Sequence, residues 1–407
     1  MVDVRYWIWL SLALNSNFKH NEKILSAFDS AKNVYNANLS QLTEAGIPDE
    51  LSQRLSEKDV SETNKVYDYC MRNGIGLIAY DSPSYPKRLQ NIPDPPVLLY
   101  CRGSLPDIDD NACIATVGTR SITEYGRREA YTITYDLALS GAVIVSGLAR
   151  GIDSVCHRAC LDAYGLTVAV LGSGIDVIYP KENDLLYSEI ASNGAVITEF
   201  APGTRPLKQN FPLRNRIISG LCLGTLVLEA DSNSGALITA RTALSQGRDL
   251  FSLPGKVGEL NSTGTNNLIK DGAKMVTSAT DVLEEYECLF PHRIRIENIP
   301  VSAKRFSTSR PRAPQAQDAP ESYGSEKTPK SEIKDGAKQA SNQPEPDISI
   351  LDEATLKVLN RMKKQTPVTM DELADEEIPI TEIMVAMTFL EINKFVTALP
   401  GGIFVRN

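Results

Sequence analysis

No stretch of about 18 consecutive apolar residues occurs in the 407-residue chain, which excludes a membrane-spanning helix. Histidine is scarce, with three residues, and the seven cysteines form no C-x-x-C pair. A zinc ribbon or a thioredoxin-type redox site therefore has no framework here, and no metal is expected. Cysteines odd in number and irregular in spacing fit a reducing cytoplasm better than a secreted disulfide scaffold. Met1 to Ser11 lacks a basic flank and a small-residue cleavage site, so it reads as the start of a helix and not as a signal peptide. The dinucleotide fingerprint G-x-G-x-x-G and the Gly-Lys end of a P-loop are both missing, so neither an NAD enzyme nor an ATPase is supported, and no cofactor is expected.

What is there is an ordinary globular balance: 42% hydrophobic and 23% charged residues, incompatible with disorder throughout or a fibrous repeat. The net charge of −9 excludes a uniformly basic coat but leaves room for a local basic groove. Four zones follow one another. Residues 1–73 have helical periodicity, carried by Leu10, Leu12, Leu14, Ile24, Leu25 and Phe28. A tight turn at Gly46-Ile47-Pro48-Asp49-Glu50-Leu51 occurs both in helical modules that hold a nucleic-acid backbone and in bundles that bind nothing. Residues 74–290 alternate short apolar runs with amphipathic segments. The runs are Cys113–Val117, Ala142–Val145, Thr167–Leu171, Ala195–Thr198, Gly224–Leu228 and Asp249–Leu253. Continuous apolar strands alternating with helices indicate an α/β fold, a parallel sheet covered on both faces. Ile75–Tyr80 and Val97–Cys101 are expected to extend its edge.

Residues 291–346, rich in Pro, Ser, Lys, Gln and Ala, read as a disordered linker with a basic first part. Residues 347–407 return to a helical pattern, with Thr369 expected to cap the second of three helices before a hairpin at Phe395–Arg406. That order is the winged-helix pattern. Six Lys and Arg face nine Asp and Glu over residues 351–407. The third helix carries no basic residue, so this module favours a protein partner over phosphate.

Within the sheet zone, Val117-Gly118-Thr119-Arg120 ends a strand before a helix, which makes an anion site of backbone N–H groups and a charged fork. Ser146 and Gly147 leave small residues at another strand end, where open sheets bind ligands. His157 follows between Cys156 and Cys160; the cysteines read as core-facing and the histidine as structural. Lys181, at the start of a helix in Tyr179-Pro180-Lys181, stands against the dipole and suits a ligand phosphate. The sharpest feature is a basic island, Arg205, Lys208, Arg214 and Arg216, with no Asp or Glu from Phe200 through Leu228. Residues 102–287 as a whole hold sixteen Lys and Arg against 22 Asp and Glu. Phe211, beside Asn210, lies inside the island; positive side chains with an interleaved ring are what a single strand needs. Ser234 and Gly235 open a helix toward the same crevice, and Glu229 is expected to orient Arg214 or Arg216.

Taken together, VGTR at 117–120, SGLARGID at 146–153, LGSGIDVIYPKEN at 171–183, FPLRNRIISG at 211–220 and the run from Glu229 to Gly255 closely resemble the bacterial DNA-processing protein A family (DprA, or Smf). Thr119 departs from the family's usual serine but keeps the hydroxyl. The resemblance implies a Rossmann-like domain, flanked by a small all-α N-terminal module and a C-terminal winged helix. It implies binding of single-stranded DNA, loading of the RecA recombinase during natural transformation, homodimers, a cytoplasmic location and no enzymatic turnover. By position, Arg120 and Lys181 would hold phosphates, and Lys208, Arg214 and Arg216 would line the groove. Phe211 would stack on a base, while Gly118, Thr119, Ser146, Gly147, Ser234 and Gly235 would offer hydroxyl or backbone contacts. Two alternatives stand beside this reading. One is a nucleoside-monophosphate phosphoribohydrolase of related fold, whose Pro-Gly-Gly-x-Gly-Thr loop is here Ser232-Asn233-Ser234-Gly235. The other is a protein-binding adaptor.

Overall fold

A computed structural model describes residues 4–15 and 18–299, and in the C-terminal region residues 353–362, 367–369, 373, 383, 386–387, 390, 395–399 and 403–406. Two compact units result, one within residues 1–312 and one within 313–407. Six helices open the first: α1 (Val4–Leu14), α2 (Asn21–Phe28), α3 (Ala31–Asn36), α4 (Leu39–Glu44), α5 (Asp49–Ser56) and α6 (Ser61–Arg72). Asn38 and Gln41 form a reciprocal capping box that starts α4. The turn after α4 uses Gly46 at φ +71°. The N–H groups of Gly46 and Ile47 donate to Thr43 and Leu42 carbonyls, so they close the helix and Ile47 is buried.

There follow β1 (Gly76–Ala79), α7 (Lys87–Gln90), β2 (Leu98–Gly103), β3 (Cys113–Gly118), α8 (Glu124–Leu139), β4 (Val143–Ser146), α9 (Ile152–Asp162) and β5 (Thr167–Val170). After these come α10 (Asp184–Asn193), β6 (Ala195–Thr198), α11 (Asn210–Gly220), β7 (Gly224–Glu229), α12 (Gly235–Ser245), β8 (Asp249–Ser252), α13 (Thr263–Lys270), β9 (Lys274–Met275) and α14 (Thr280–Leu283). They build one nine-stranded sheet in the order β1-β2-β6-β5-β4-β3-β7-β8-β9. From β6 to β9 every pairing is parallel, while β1–β2 and β2–β6 are antiparallel. The six apolar runs expected as strands fall on β3 to β8, and both early runs extend the edge. Every residue of β4, β5 and β6 is buried, because helices cover both faces. Ile114 packs with α8 and α9, including Cys156 and Cys160. Its neighbours Ala115 and Val117 point the other way, to Ile217 and Ile218 of α11 and Ala240 of α12.

The N-terminal helices do not stand apart from this sheet. Trp7 and Leu10 share one core with Leu98, Tyr100, Ala169 and Leu171. Asn21 donates to the Pro95 carbonyl at 3.0 Å, and Phe18 meets Phe200 edge-on. The boundary expected at 73/74 marks a change of secondary structure, not a gap in packing. The expected linker also begins later than 291: Ile294 is buried among α8 and β4 residues, and the Arg295 N–H donates to Ser140 O at 2.9 Å. Residues 300–346 of that linker lie outside the described residues.

In the second unit, α15 (Glu353–Arg361) is followed by β10 (Pro367–Thr369), β11 (Val396–Leu399) and β12 (Ile403–Arg406). These strands form an antiparallel sheet ordered β10-β12-β11. Helical residues Ile383, Met387 and Leu390 share a core with Val358, Leu359 and Phe404, the helix-and-hairpin order expected. Thr369 is the last residue of β10, and residues 370–372, which it was expected to cap, lie outside the described residues. Arg406 is turned inward, donating to the Leu359 and Met362 carbonyls at 2.7 and 3.2 Å, so it closes the end of α15.

Candidate nucleic-acid interface

The chain passes from β3 outward through β4, β5 and β6, then returns to place β7 on the other side of β3. Connections leaving β3 and β7 therefore diverge, and a crevice opens at their C-terminal ends. A cleft of about 520 Å³ lies there, with Thr119, Arg120, Lys208, Phe211, Ser234 and Gly235 among its walls.

Close packing builds its floor. A side chain at Gly118 would fall within contact distance of Ile152 and 2.9 Å from Glu229 O. The Thr119 N–H donates to that same carbonyl at 2.7 Å, and the Thr119 hydroxyl accepts from Ser121 N at 3.2 Å. Thr119 is thus spent on the turn, whereas Arg120 is exposed. The Arg120 guanidinium carbon sits 5.1 Å from the centre of the Phe211 ring, within cation–π range. Phe211 is half-buried because position 172 is glycine; a Cβ there would stand 3.0 Å from the ring. Lys208 is exposed on the loop before α11. Ser234 caps α12, its hydroxyl accepting from Ala236 N at 3.3 Å, and Gly235 faces open space. The positive end of α12 is therefore available to an anion. Lys181 is exposed two residues after the cleft residue Tyr179, and does not itself line the cleft.

Other expected contacts are drawn inward. Ser146 is fully buried and its hydroxyl donates to Thr116 O at 2.6 Å. Asn210, 2% exposed, donates to the Gly172 and Arg205 carbonyls. Arg214 lines the cleft, as expected, but is only 3% exposed. Its Nη1 donates to Gly147 O at 2.8 Å and to Val170 O, tying α11 to the ends of β4 and β5. Burial pulls this guanidinium down to about 10, against the opposing pull of the buried Asp153 carboxylate. Gly147 lies beneath it, where a Cβ would stand 2.5 Å from Nη2. Arg216 pairs with Glu199 at 2.5 Å and lies over the Phe18 ring. Burial pushes the Glu199 carboxyl up to about 7, and the adjacent Arg216 charge recovers only part of that shift.

Glu229 orients neither arginine. Its carboxylate accepts from Thr123 N and Oγ1 at 3.0 and 2.6 Å, and so holds the start of α8; Glu199 and Asp153 stand where it was expected. His157 is fully buried, with burial pulling its pKa down to about 3. Thr167 gives its hydroxyl hydrogen to Ile144 O, so His157 Nδ1 is the donor in the 2.7 Å bond between them. This is a neutral structural histidine.

One wall residue was missed. Tyr179, 42% exposed, has its ring centroid 5.8 Å from that of Phe211. Its signal was an aromatic directly before Pro180 and Lys181. Together, two rings, two unpaired cations (Arg120 and Lys208) and a helix N-terminus suit a polyanion that carries flat bases. Among the described residues no group of His, Cys, Asp and Glu is arranged to hold a metal, and no helix is long and apolar enough to cross a membrane.

Residues 76–287 match the family described as DNA recombination-mediator protein A. The DNA processing protein DprA of Streptococcus pneumoniae is 46% identical over 203 residues, 50% of this chain and 71% of that protein. That of Bacillus subtilis is 42% identical over 212 residues, 52% and 71% of the two chains. The crystal structure of the Streptococcus pneumoniae protein superimposes with a TM-score of 0.61 at 36% identity, covering 68% of this chain and 97% of that one. A parallel sheet with its crevice at the β3–β7 switch and a family match spanning that sheet agree: this chain belongs to the DNA recombination-mediator protein A family of DNA-processing proteins.

Proposed function

We propose that the chain binds single-stranded DNA in the β3–β7 cleft, protects it, and passes it to the RecA recombinase during natural transformation, as a cytoplasmic homodimer. The observation that carries the reading is the Arg120–Phe211 pair at the mouth of the cleft, flanked by Lys208 and the open end of α12. Arg120, Lys181 and Lys208 act on the phosphates, Phe211 on a base, and Ser234 and Gly235 on the backbone, while Thr119 holds the turn that presents Arg120. Gly118, Ser146, Gly147, Asn210, Arg214 and Arg216 support the site from beneath. The acidic C-terminal unit takes a protein partner. Hydrolysis of a nucleotide by Glu229 is disfavoured because both of its oxygens are held by Thr123.

Fluorescence titration of labelled single-stranded and duplex oligonucleotides over a salt series tests this. Single strands are expected to bind more tightly, with log K falling against log[salt] by about 0.7 per phosphate contact. The double variant Arg120→Ala, Lys181→Ala should bind more weakly and with a flatter slope. Equal, weak binding of both strand types by both proteins would remove the cleft as the DNA site.

A further inference from the structure

Phe211 is the ring in the basic island, yet it is not fully available to a base. Its ring is tucked against Gly172, Arg120 lies over it at 5.1 Å and the Arg214 guanidinium carbon is 6.0 Å from its centre. Tyr179 is differently placed. It is 42% exposed, a large ring left half-open to water on the wall of a cleft. It meets Phe211 tilted at 48° and not stacked, so neither ring consumes the face of the other. It also comes two residues before the exposed Lys181, the arrangement of ring and cation that a nucleotide uses for its base and its phosphate.

We propose that Tyr179 is a second base-stacking residue, so that the cleft seats two successive nucleobases, one on Tyr179 and one against the Arg120–Phe211 pair. This rests on the single-strand reading above and adds a subsite to it. The spacing supplies selectivity. Ring centroids 5.8 Å apart and inclined at 48° do not match the ~3.4 Å rise and parallel planes of bases in a B-form strand. Two neighbouring bases reach both rings only after they unstack, which a single strand does readily and a duplex resists. Tyr179 is therefore a determinant of single-strand preference and not only of affinity.

The test uses the full chain and oligonucleotides carrying 2-aminopurine at one position at a time, since stacking on a ring quenches that base. In the unaltered protein two adjacent positions are expected to be quenched. Tyr179→Leu should lose quenching at one of them and weaken single-strand binding at least five-fold, with the salt slope unchanged because no phosphate contact is lost. Duplex binding should change less, and Tyr179→Phe should restore what Leu removes. Phe211→Leu provides an independent arm: one position should stay quenched, by Tyr179. A Tyr179→Leu protein that keeps both quenched positions and its single-strand preference would overturn the proposal, as would loss of all quenching in Phe211→Leu. An unaltered protein with no preference for single strands would instead remove the reading on which the proposal stands.

Discussion

Arg214 looks like a DNA contact in the sequence and like a structural brace in three dimensions, and the two roles leave different marks. Consider Arg214→Gln. The guanidinium is 3% exposed and donates to the Gly147 and Val170 carbonyls above the buried Asp153 carboxylate. Glutamine cannot reach both carbonyls and brings no charge, so Asp153 keeps only the more distant Arg120 of the two cations that offset its burial. A buried carbonyl left without its donor costs about 1–3 kcal/mol, so the Gly147 and Val170 carbonyls together cost about 2–6 kcal/mol. A domain with about 5–15 kcal/mol of stability would still be folded. Urea denaturation should therefore show a loss of about 3 kcal/mol, in the lower half of the range for the two carbonyls, because Asp153 keeps two backbone hydrogen bonds. Single-strand affinity should fall too, since Phe211 sits one turn earlier on α11. The slope of log K against log[salt], however, should equal that of the unaltered protein. Arg120→Ala should instead flatten the slope by about 0.7 with little loss of stability. An Arg214→Gln protein of unchanged stability and a slope flatter by about 0.7 would show that Arg214 touches a phosphate, and would refute the account of its burial.

Three further outcomes follow from the geometry. Gly118→Ala forces a methyl into Ile152 and toward Glu229 O, and should lower the stability measured in urea by about 1–3 kcal/mol. His157, held near 3 when folded against 6.5 unfolded, takes up a proton only in the unfolded chain between those values. Its contribution is therefore present above pH 6.5 and is lost as pH falls, by about 1.4 kcal/mol per unit below 6.5; His157→Gln should flatten the denaturation midpoint between pH 6.5 and 5 relative to the unaltered protein. Six of the seven cysteines are buried and Cys288 is exposed, so a thiol reagent should label one site quickly in the native protein and seven after denaturation.

Much of this molecule is written locally in its chain. The strands β3 to β8 were legible because each is a short apolar run between turn residues, and the crevice was legible because Gly118 and Ser234-Gly235 stand at strand and helix ends. Arg120 and Lys208 read correctly as surface charges. Arg214 and Arg216 did not, because a run of basic residues has the same appearance whether each side chain meets water or a buried carboxylate. Asp153 and Glu199, their acidic neighbours, come from other elements, and no spacing rule connects them. Glu229 misled for the same reason: its partner, Thr123, is 106 residues away. The end of the folded region was misplaced because Ile294 and Ile296 are isolated apolar residues in a polar segment, and only the surface of α8 and β4 reveals that they dock.

The shared core of the N-terminal helices and the sheet governs how the protein can be divided. A cut at residue 74 would keep the whole segment matched by the family yet strip Trp7, Leu10 and Leu14 from Leu98, Tyr100 and Leu171, leaving a broad apolar face wet on an edge of the sheet. It would also remove Phe18 from beneath Arg216 and Tyr69 from Asp176, two props on the α11 helix and on the loop that carries Tyr179. A fragment trimmed to the family core would tend to aggregate, and what stayed in solution would grip its ligand loosely. The helical segment is a buttress: none of its described residues lines the cleft, and the cleft keeps its shape by leaning on it.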